Sequence, residues 1–472
     1  MSTADDTGVR LYSTMTHRKE PLIAGPGGEV RIYVCGPTVY GPIHIGNARP
    51  FVVFSVLKRF LSRSGLRVRL VSNLTDVNDK IYDAARAAGV PSAELAERFS
   101  AEYLADTGRL GLGRPDAEPR VTETIPEIIA LIEALIERGL AYPAAGDVYF
   151  RVRSFPGYGR LSGRRLEDLV PQEPGPAKES PLDFALWKGR KHDEDTWWDS
   201  PWGPGRPGWH IECSAMAEAT LGHGFEIHGG GIDLAFPHHE NEIAQSEGAR
   251  GGCMAAIWMH NEMLELGDEK MSKSIGNVAL LRDVLDRWPA PVVIAFFLTS
   301  HYRSRLPFSE ERMAEAEAVV ARLGNALRAT DRAIALGREG QDADLAAALV
   351  EGRSRFFAAL SDDFGTPGAF AALFDLVRVV NRALSEGTAG ARQLQEVRVQ
   401  LGDMLDVLGL GEIGAAAPPE AEVPAEVLQL AQAREGARAE RDFARADALR
   451  AAIRDHGFEV TDTPEGPRLD PA

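Results

Sequence analysis

The hydrophobic positions change period several times along the chain, and each change marks an element. Val30-Arg31-Ile32-Tyr33-Val34 is alternating and β-branched, as a strand is, and runs into Cys35-Gly36-Pro37. After a Gly/Pro loop, Phe51, Val52, Val56, Leu57, Phe60 and Leu61 recur at helical spacing, and Gly65 supplies the stop. Residues 66–71 read as a second strand. Strand, helix and strand with a short return predict a βαβ unit, hence a parallel sheet with its ligand crevice at the strands' carboxyl ends. Residues 125–139 form a further amphipathic helix; from there to about residue 201, short strands such as 147–150 alternate with Pro/Gly-rich turns, which predicts an insertion. The sheet resumes at 225–228 and 255–260, bracketing a helix over about 238–249. Residues 309–410 carry helical periodicity, 411–419 have linker composition, 426–454 read as one or two helices, and 457–472 as a short, Pro-punctuated tail. The expected fold is α/β: a Rossmann-like doubly wound parallel sheet split by an insertion, followed by an α-helical bundle and a small C-terminal domain.

Composition narrows the function. At roughly 150 residues per domain, 472 residues suggest about three domains. The formal net charge of −17 excludes diffuse attraction of nucleic acid, so any RNA or nucleotide site must be a local feature set in an opposing field. Three cysteines, Cys35, Cys213 and Cys253, are too few and too scattered for a disulfide scaffold and fit a reducing, cytoplasmic setting. The first twenty residues lack the apolar core of a signal peptide, and no stretch approaches the roughly 20 apolar residues of a membrane span, so no membrane partner is expected.

Two loops carry candidate phosphate chemistry. Gly41-Pro42-Ile43-His44-Ile45-Gly46-Asn47-Ala48-Arg49 opens the first helix, where unpaired N–H groups and a partial positive charge favour phosphate. His44 and Asn47 are hydrogen-bond donors there, and Gly46 permits close backbone approach. Lys270-Met271-Ser272-Lys273-Ser274 follows the last sheet strand, and its two lysines suit a lid over an anionic ligand. From residue frequencies such a string arises by chance with a probability on the order of 10⁻⁴ in a chain this long. A third constellation is metal-type. Cys35 ends a strand, Cys213 lies far along the chain, and His238 and Glu242 are four apart on one predicted helix face. Thiolate, thiolate, imidazole and carboxylate are zinc donors, although spacing alone does not separate them from buried structural cysteines, and His239 and Glu240 compete as neighbours. Five of the seven tryptophans lie between positions 187 and 209; Trp187, Trp197, Trp198 and Trp202 suit an insert core and a rigid loop, with Trp209 apart.

The two loops together resemble the paired signature sequences of class I aminoacyl-tRNA synthetases. Residues 34–40, 75–81, 208–214 and 229–245 are similar to the cysteinyl-tRNA synthetase family in particular, and the resemblance extends from about Leu11 to the C-terminal helices. Asn47 departs from the class signature, which often has His there, while remaining a donor. The resemblance implies ATP-dependent conversion of L-cysteine to cysteinyl-adenylate, then transfer to the 3′-terminal adenosine of tRNA(Cys). It implies His44, Asn47, Lys270 and Lys273 as catalytic groups. His44, Gly46, Asn47, Gly229, Gly230, Gly231, Asp233 and Lys273 are implied for ATP, and Thr75, Trp209 and Asp233 for substrate. One Zn²⁺ on Cys35, Cys213, His238 and Glu242 is implied, with Mg²⁺ accompanying ATP. A zinc that holds the substrate's thiol would reject serine and alanine by roughly 10⁴–10⁵ without editing. Mapped onto this chain, the first half of the catalytic domain is expected at 1–120, a connective insertion at 121–204 and the second half at 205–265. A mobile lysine loop and stem-contact region is expected at 266–308, a tRNA-binding bundle at 309–410, a linker at 411–424 and an anticodon-side domain at 425–472. A monomer is expected. Arg434, Arg438, Arg441, Arg445, Arg450 and Arg454 recur in the last segment, interleaved with acids as on a solvated helix. The alternatives are a zinc-dependent ligase joining cysteine to a small amino-sugar and a non-catalytic RNA-binding paralogue.

Overall fold

Four strands pair side by side in the order Ala255–Asn261, Phe225–Gly231, Glu29–Val34, Arg67–Ser72, and every pairing is parallel. The computed structural model describes residues 5–170, 177–266, 269–270, 279–415, 424–463 and 466–471. Ile32 lies opposite both Leu70 and Ile227, so the register aligns the β-branched and aliphatic positions that the alternation singled out. All four carboxyl ends then reach one edge of the sheet. The chain leaves the strand Glu29–Val34 toward one neighbour and returns on its other side far later, so the crevice opens between this strand and Phe225–Gly231. The Cys35 N–H donates to Gly229 O across that seam at 3.1 Å.

The helix Ile45–Arg63 buries most of its length, and Val52, Val56, Leu57, Phe60 and Leu61 are fully buried. Its apolar residues join a core cluster that runs from the sheet into the helices beyond residue 309. Those are Glu310–Ala335, Ala343–Ser361, Thr366–Glu386 and Ala391–Val407; Ser309 and Asp342 cap the first two by accepting from the Arg312 and Leu345 N–H groups. Between the halves of the parallel sheet lies an antiparallel one, Ala141–Ala144, Asp147–Phe150, Phe184–Gly189 and Gly205–Pro207. Trp187 is its buried centre, with the Trp202 ring 6.1 Å away.

Two hairpins escape the sequence reading. Asp5–Ser13 and Arg18–Ala24 form an antiparallel hairpin ahead of the sheet; its buried positions, Val9, Leu11, Ser13, Leu22 and Ala24, alternate with polar ones but are too few to stand out. The expected Pro-punctuated tail is a hairpin as well, Phe458–Thr463 against Gly466–Pro471. It belongs to a separate unit, residues 414–472, with the helices Ala425–Ala439 and Phe443–Asp455. Phe458 and Val460 alternate onto Val427, Ala431 and Ile453, and that shared burial is what makes the tail a strand pair. Among the described residues no helix is long and apolar enough to cross a membrane.

Candidate active site and metal centre

One cleft of about 390 Å³ lies at the carboxyl edge of the parallel sheet, lined by Cys35, His44, Gly46, Asn47, Thr75, Trp209, Cys213, Gly231, Asp233 and His238 among others. Gly229 and Gly230, expected at its floor, are buried instead. A Cβ on Gly229 would lie 2.1 Å from the Phe54 ring, and one on Gly230 3.0 Å from the His239 ring. These two glycines admit neighbouring rings, and Gly231 is the one of the three that faces the ligand space.

At one end of the cleft, His44 is the N-cap of the helix Ile45–Arg63. Its Nδ1 accepts the Asn47 N–H at 3.3 Å, while Asn47 Oδ1 accepts the His44 N–H at 3.2 Å. This reciprocal box holds both side chains at the helix start. It also explains Gly46, because a Cβ there would stand 2.9 Å from His44 Nδ1. With its oxygen engaged, Asn47 retains an NH₂ group as a hydrogen-bond donor. Lys270 ends the short strand Glu269–Lys270, paired with Glu265 in Leu264–Leu266. After it, Ala279 O accepts the Ile45 N–H at 2.9 Å and Ile43 O accepts the Leu281 N–H at 3.0 Å. The flank that follows the lysine segment is thus tied next to His44. Lys273 lies outside the described residues.

At the other end, Cys35, Cys213, His238 and Glu242 come together, with one donor atom from each lying within 4.8 Å of the others. Cys35 Sγ is 3.4 Å from Glu242 Oε1, and His238 Nε2 is 3.2 Å from the same oxygen. His238 stands in an irregular turn ahead of the helix Glu240–Arg250, with a cis Phe236–Pro237 bond before it, and the four-residue spacing to Glu242 still brings the two together. All four residues are buried. Burial, then Cys213 and Glu242 beside it, push the Cys35 thiol well above its ordinary range. Cys213 is pushed up as well; its bond with Cys35 works downward, but burial and the neighbouring Glu242 outweigh it. Burial works to raise the Glu242 carboxyl, yet His228 and His238 hold it below the usual range. Two thiols that resist ionising around a carboxylate that does not form a pocket a divalent soft cation would stabilise.

The competitors separate on their hydrogen bonds. Glu240 accepts from the N–H groups of Gly159 and Ser162 at 2.9 Å each, so its carboxylate anchors the insertion. His239 belongs to a second set within 4.8 Å, with Cys35, His228 and Glu242. Its Nδ1 is 2.8 Å from His260 Nε2, whose Nδ1 is 2.7 Å from Thr14 Oγ1, and Glu242 Oε2 is 2.9 Å from His228 Nε2. Neither His228 nor His239 lines the cleft, whereas Cys35, Cys213 and His238 do. The Trp209 ring stacks on His238 at 4.4 Å and is 36% exposed, closing the wall between them.

Asn73 is the residue sequence reasoning missed. Its Oδ1 accepts the Gly36 N–H at 2.9 Å and lies 3.7 Å from Cys213 Sγ, while its Nδ2 donates to Thr75 Oγ1 at 3.1 Å. One fully buried amide therefore orients two cleft segments and a thiol. The signal was an Asn directly after the buried end of the strand Arg67–Ser72, a residue that needs a partner wherever it is buried.

The buried rings predict an acid weakness. Burial, and next Lys188, lower His210 to about 3; burial, and next His228, lower His260 to about 3. Unfolding returns both toward 6.5, so between these limits the unfolded chain binds more protons. Their contribution to stability is complete above about pH 6.5 and is lost as the pH falls toward 3. The urea midpoint of metal-free protein should drop between pH 7.5 and pH 5, less steeply in His260→Gln; the same slope in both proteins would show that this ring does not carry it.

Residues 23–318 match the family described as "tRNA synthetases class I (C) catalytic domain", and residues 355–412 a "DALR domain". The chain is 44% identical over 464 residues to the "Cysteine--tRNA ligase" of Shouchella clausii, covering 98% of this chain and 99% of that one. It is 46% identical over 475 residues to that of Desulforudis audaxviator, with the same coverage. Among solved structures, Mycobacterium tuberculosis methionyl-tRNA synthetase with methionyl-adenylate superposes at a TM-score of 0.61 and 17% identity, over 82% of this chain and 90% of that one. The LeuRS of a ternary complex from Agrobacterium radiobacter K84 does so at 0.59 and 12%, over 83% and 86%.

Proposed function

The chain belongs to the cysteine–tRNA ligase family of class I aminoacyl-tRNA synthetases, and on that premise we propose how its cleft divides the work. The enzyme activates L-cysteine with ATP and transfers the cysteinyl group to tRNA(Cys). The observation that carries the assignment of roles is the meeting, in one cleft, of a capped helix start and a buried thiol–imidazole–carboxylate cluster.

Cys35, Cys213, His238 and Glu242 are the residues that would hold Zn²⁺, because three of them border the cleft and the set combines two thiols with one imidazole and one carboxylate. Bound there, zinc would keep the substrate's sulfur as thiolate, for which serine's hydroxyl is a poor substitute. Trp209 walls the side chain in, and Thr75 flanks the amino-acid side. Gly231 and Asp233 border the nucleoside, with Mg²⁺ travelling with ATP. The cysteine carboxylate attacks the α-phosphorus and pyrophosphate departs, so the groups that matter are those donating to phosphate oxygens: His44 and Asn47, with Lys270 and Lys273 toward the leaving group. No side chain acts as nucleophile; the gain comes from in-line positioning and from preorganised donors. A 2′-hydroxyl of the terminal adenosine then takes the acyl group. A cytoplasmic location belongs to the same proposal and is supported by the charging of tRNA. A small amino-sugar acceptor is not favoured, because the relatives match through the helical bundle as well as the cleft.

Cysteine-dependent ATP–pyrophosphate exchange tests this. Exchange should vanish with a chelator and return with Zn²⁺, and serine should support it roughly 10⁴-fold less well. Chelator-resistant exchange, or serine turning over like cysteine, would sink the assignment.

A further inference from the structure

Two fully buried charged residues, Arg49 and Asp363, do not line the cleft. Arg49 follows Asn47 by two positions in the helix Ile45–Arg63. Its Nη1 donates to Glu262 O at 2.6 Å and Met263 O at 3.2 Å; its Nη2 donates to Ser304 O at 2.7 Å and His301 O at 3.2 Å. Burial lowers it to about 10, so it is a cation at neutral pH. Glu262 and Met263 border the cleft and lead from the sheet strand Ala255–Asn261 into Leu264–Leu266, the strand on which Glu269–Lys270 is paired. The same strand pairs in parallel with Leu306–Phe308, and Tyr302 O accepts the Glu262 N–H at 2.8 Å. The segment 301–308 and Arg49 therefore hold the root of the lysine strand from two sides.

Asp363 holds segment 301–308 in turn. It lies between the bundle helices Ala343–Ser361 and Thr366–Glu386 in a left-handed pair, Asp363 at φ +60° and Phe364 at φ +49°, a conformation that side-chain-bearing residues avoid unless their surroundings impose it. Its Oδ1 accepts the Tyr302 hydroxyl at 2.7 Å and the Tyr12 N–H at 2.9 Å. Its Oδ2 accepts Arg303 Nε–H at 2.9 Å, its carbonyl lies 3.0 Å from His301 Nε2, and its N–H donates to Arg10 O at 2.7 Å. Three successive residues, 301 to 303, thus take their placement from one carboxylate residue of the bundle, and the carbonyls of 301 and 304 receive Arg49.

We propose that Arg49 and Asp363 are the two ends of one clamp that sets the Lys270 strand against the helix start bearing His44 and Asn47, which makes both of them positioning residues for adenylate formation. The inference rests on the reading of those three residues as phosphate-side groups. Its counterpart is a purely structural role, which would change how many molecules are competent rather than how fast each one reacts.

The test is the pre-steady-state burst of cysteinyl-adenylate in zinc-loaded, full-length enzyme. Arg49→Lys and Asp363→Asn should each slow the burst on the order of tenfold, as a small misplacement of reacting groups does, with burst amplitude per zinc and KM for cysteine unchanged. The double variant should be no slower than the slower single one, because either change releases the same clamp. Tyr302→Phe, which removes one hydroxyl, should slow the burst in the same way and to a lesser degree, and decides the matter if Asp363→Asn does not fold. Reduced amplitude at parental rate, multiplied effects in the double variant, or a parental burst in all three single variants would overturn the clamp. Lys270→Ala separates the two layers: slowed beside unaltered Arg49→Lys and Asp363→Asn, it leaves the phosphate-side reading standing and the clamp refuted; at parental rate, it removes Lys270 from the phosphate side and the clamp with it.

Discussion

Cys213→Ser should lose bound zinc and lower cysteine-dependent pyrophosphate exchange by more than about 100-fold, beyond what the loss of an outer hydrogen-bond partner to a metal site costs. The substitution keeps the volume and leaves a hydroxyl beside Asn73 Oδ1, now 3.7 Å from Sγ, so the fold should survive with its thermal midpoint little changed. What it removes is a soft donor from a set that has only two. The outcome also decides between the overlapping sets. Metal held by Cys35, His228, His239 and Glu242 would survive Cys213→Ser and be lost in His239→Gln; metal held on the cleft side would show the reverse. Zinc at one equivalent in Cys213→Ser with parental exchange would refute the cleft-side assignment.

His44→Ala should cut the exchange kcat by about 10²–10³, the range measured when one preorganised donor to a developing anionic charge is deleted. The same change breaks the box with Asn47 and costs roughly 1 kcal/mol of helix capping, so a loss of rate by itself would be ambiguous. His44→Asn separates the two effects, because Asn is an N-cap as good as any but does not place an imidazole toward phosphate. Stability should recover in His44→Asn while most of the rate loss remains, with zinc content and cysteine affinity parental in both variants. A His44→Asn enzyme at parental rate would reduce His44 to a cap and leave phosphate contact to Asn47 and the lysines.

The contrast between the two ends of the cleft has a physical basis. The end proposed to meet phosphate is built from residues close in sequence, since His44, Gly46 and Asn47 share one helix start within nine consecutive residues. The candidate metal end draws on the end of one strand, two helices and an irregular turn, and its donors become neighbours because the fold gathers these distant segments at the carboxyl edge of the parallel sheet. Spacing in the chain carries no record of that, and family resemblance was needed to propose the four ligands from sequence.

By itself, the sequence determined the βαβ start, the resumed strands and the helical stretch over 309–410, because period and glycine stops are local properties that survive without a structure. Hairpins at 5–24 and 458–471 were decided by tertiary packing, since a short strand acquires its identity from the face it buries and not from its own composition. Packing likewise decided that Gly229 and Gly230 make room for rings, that Glu240 anchors the insertion, and that Asn73 organises the cleft. Arg49 and Asp363 lay furthest from view. Their partners are mostly backbone groups, which every residue has, so nothing in a string of side chains marks where such bonds will form until the chain has folded around them.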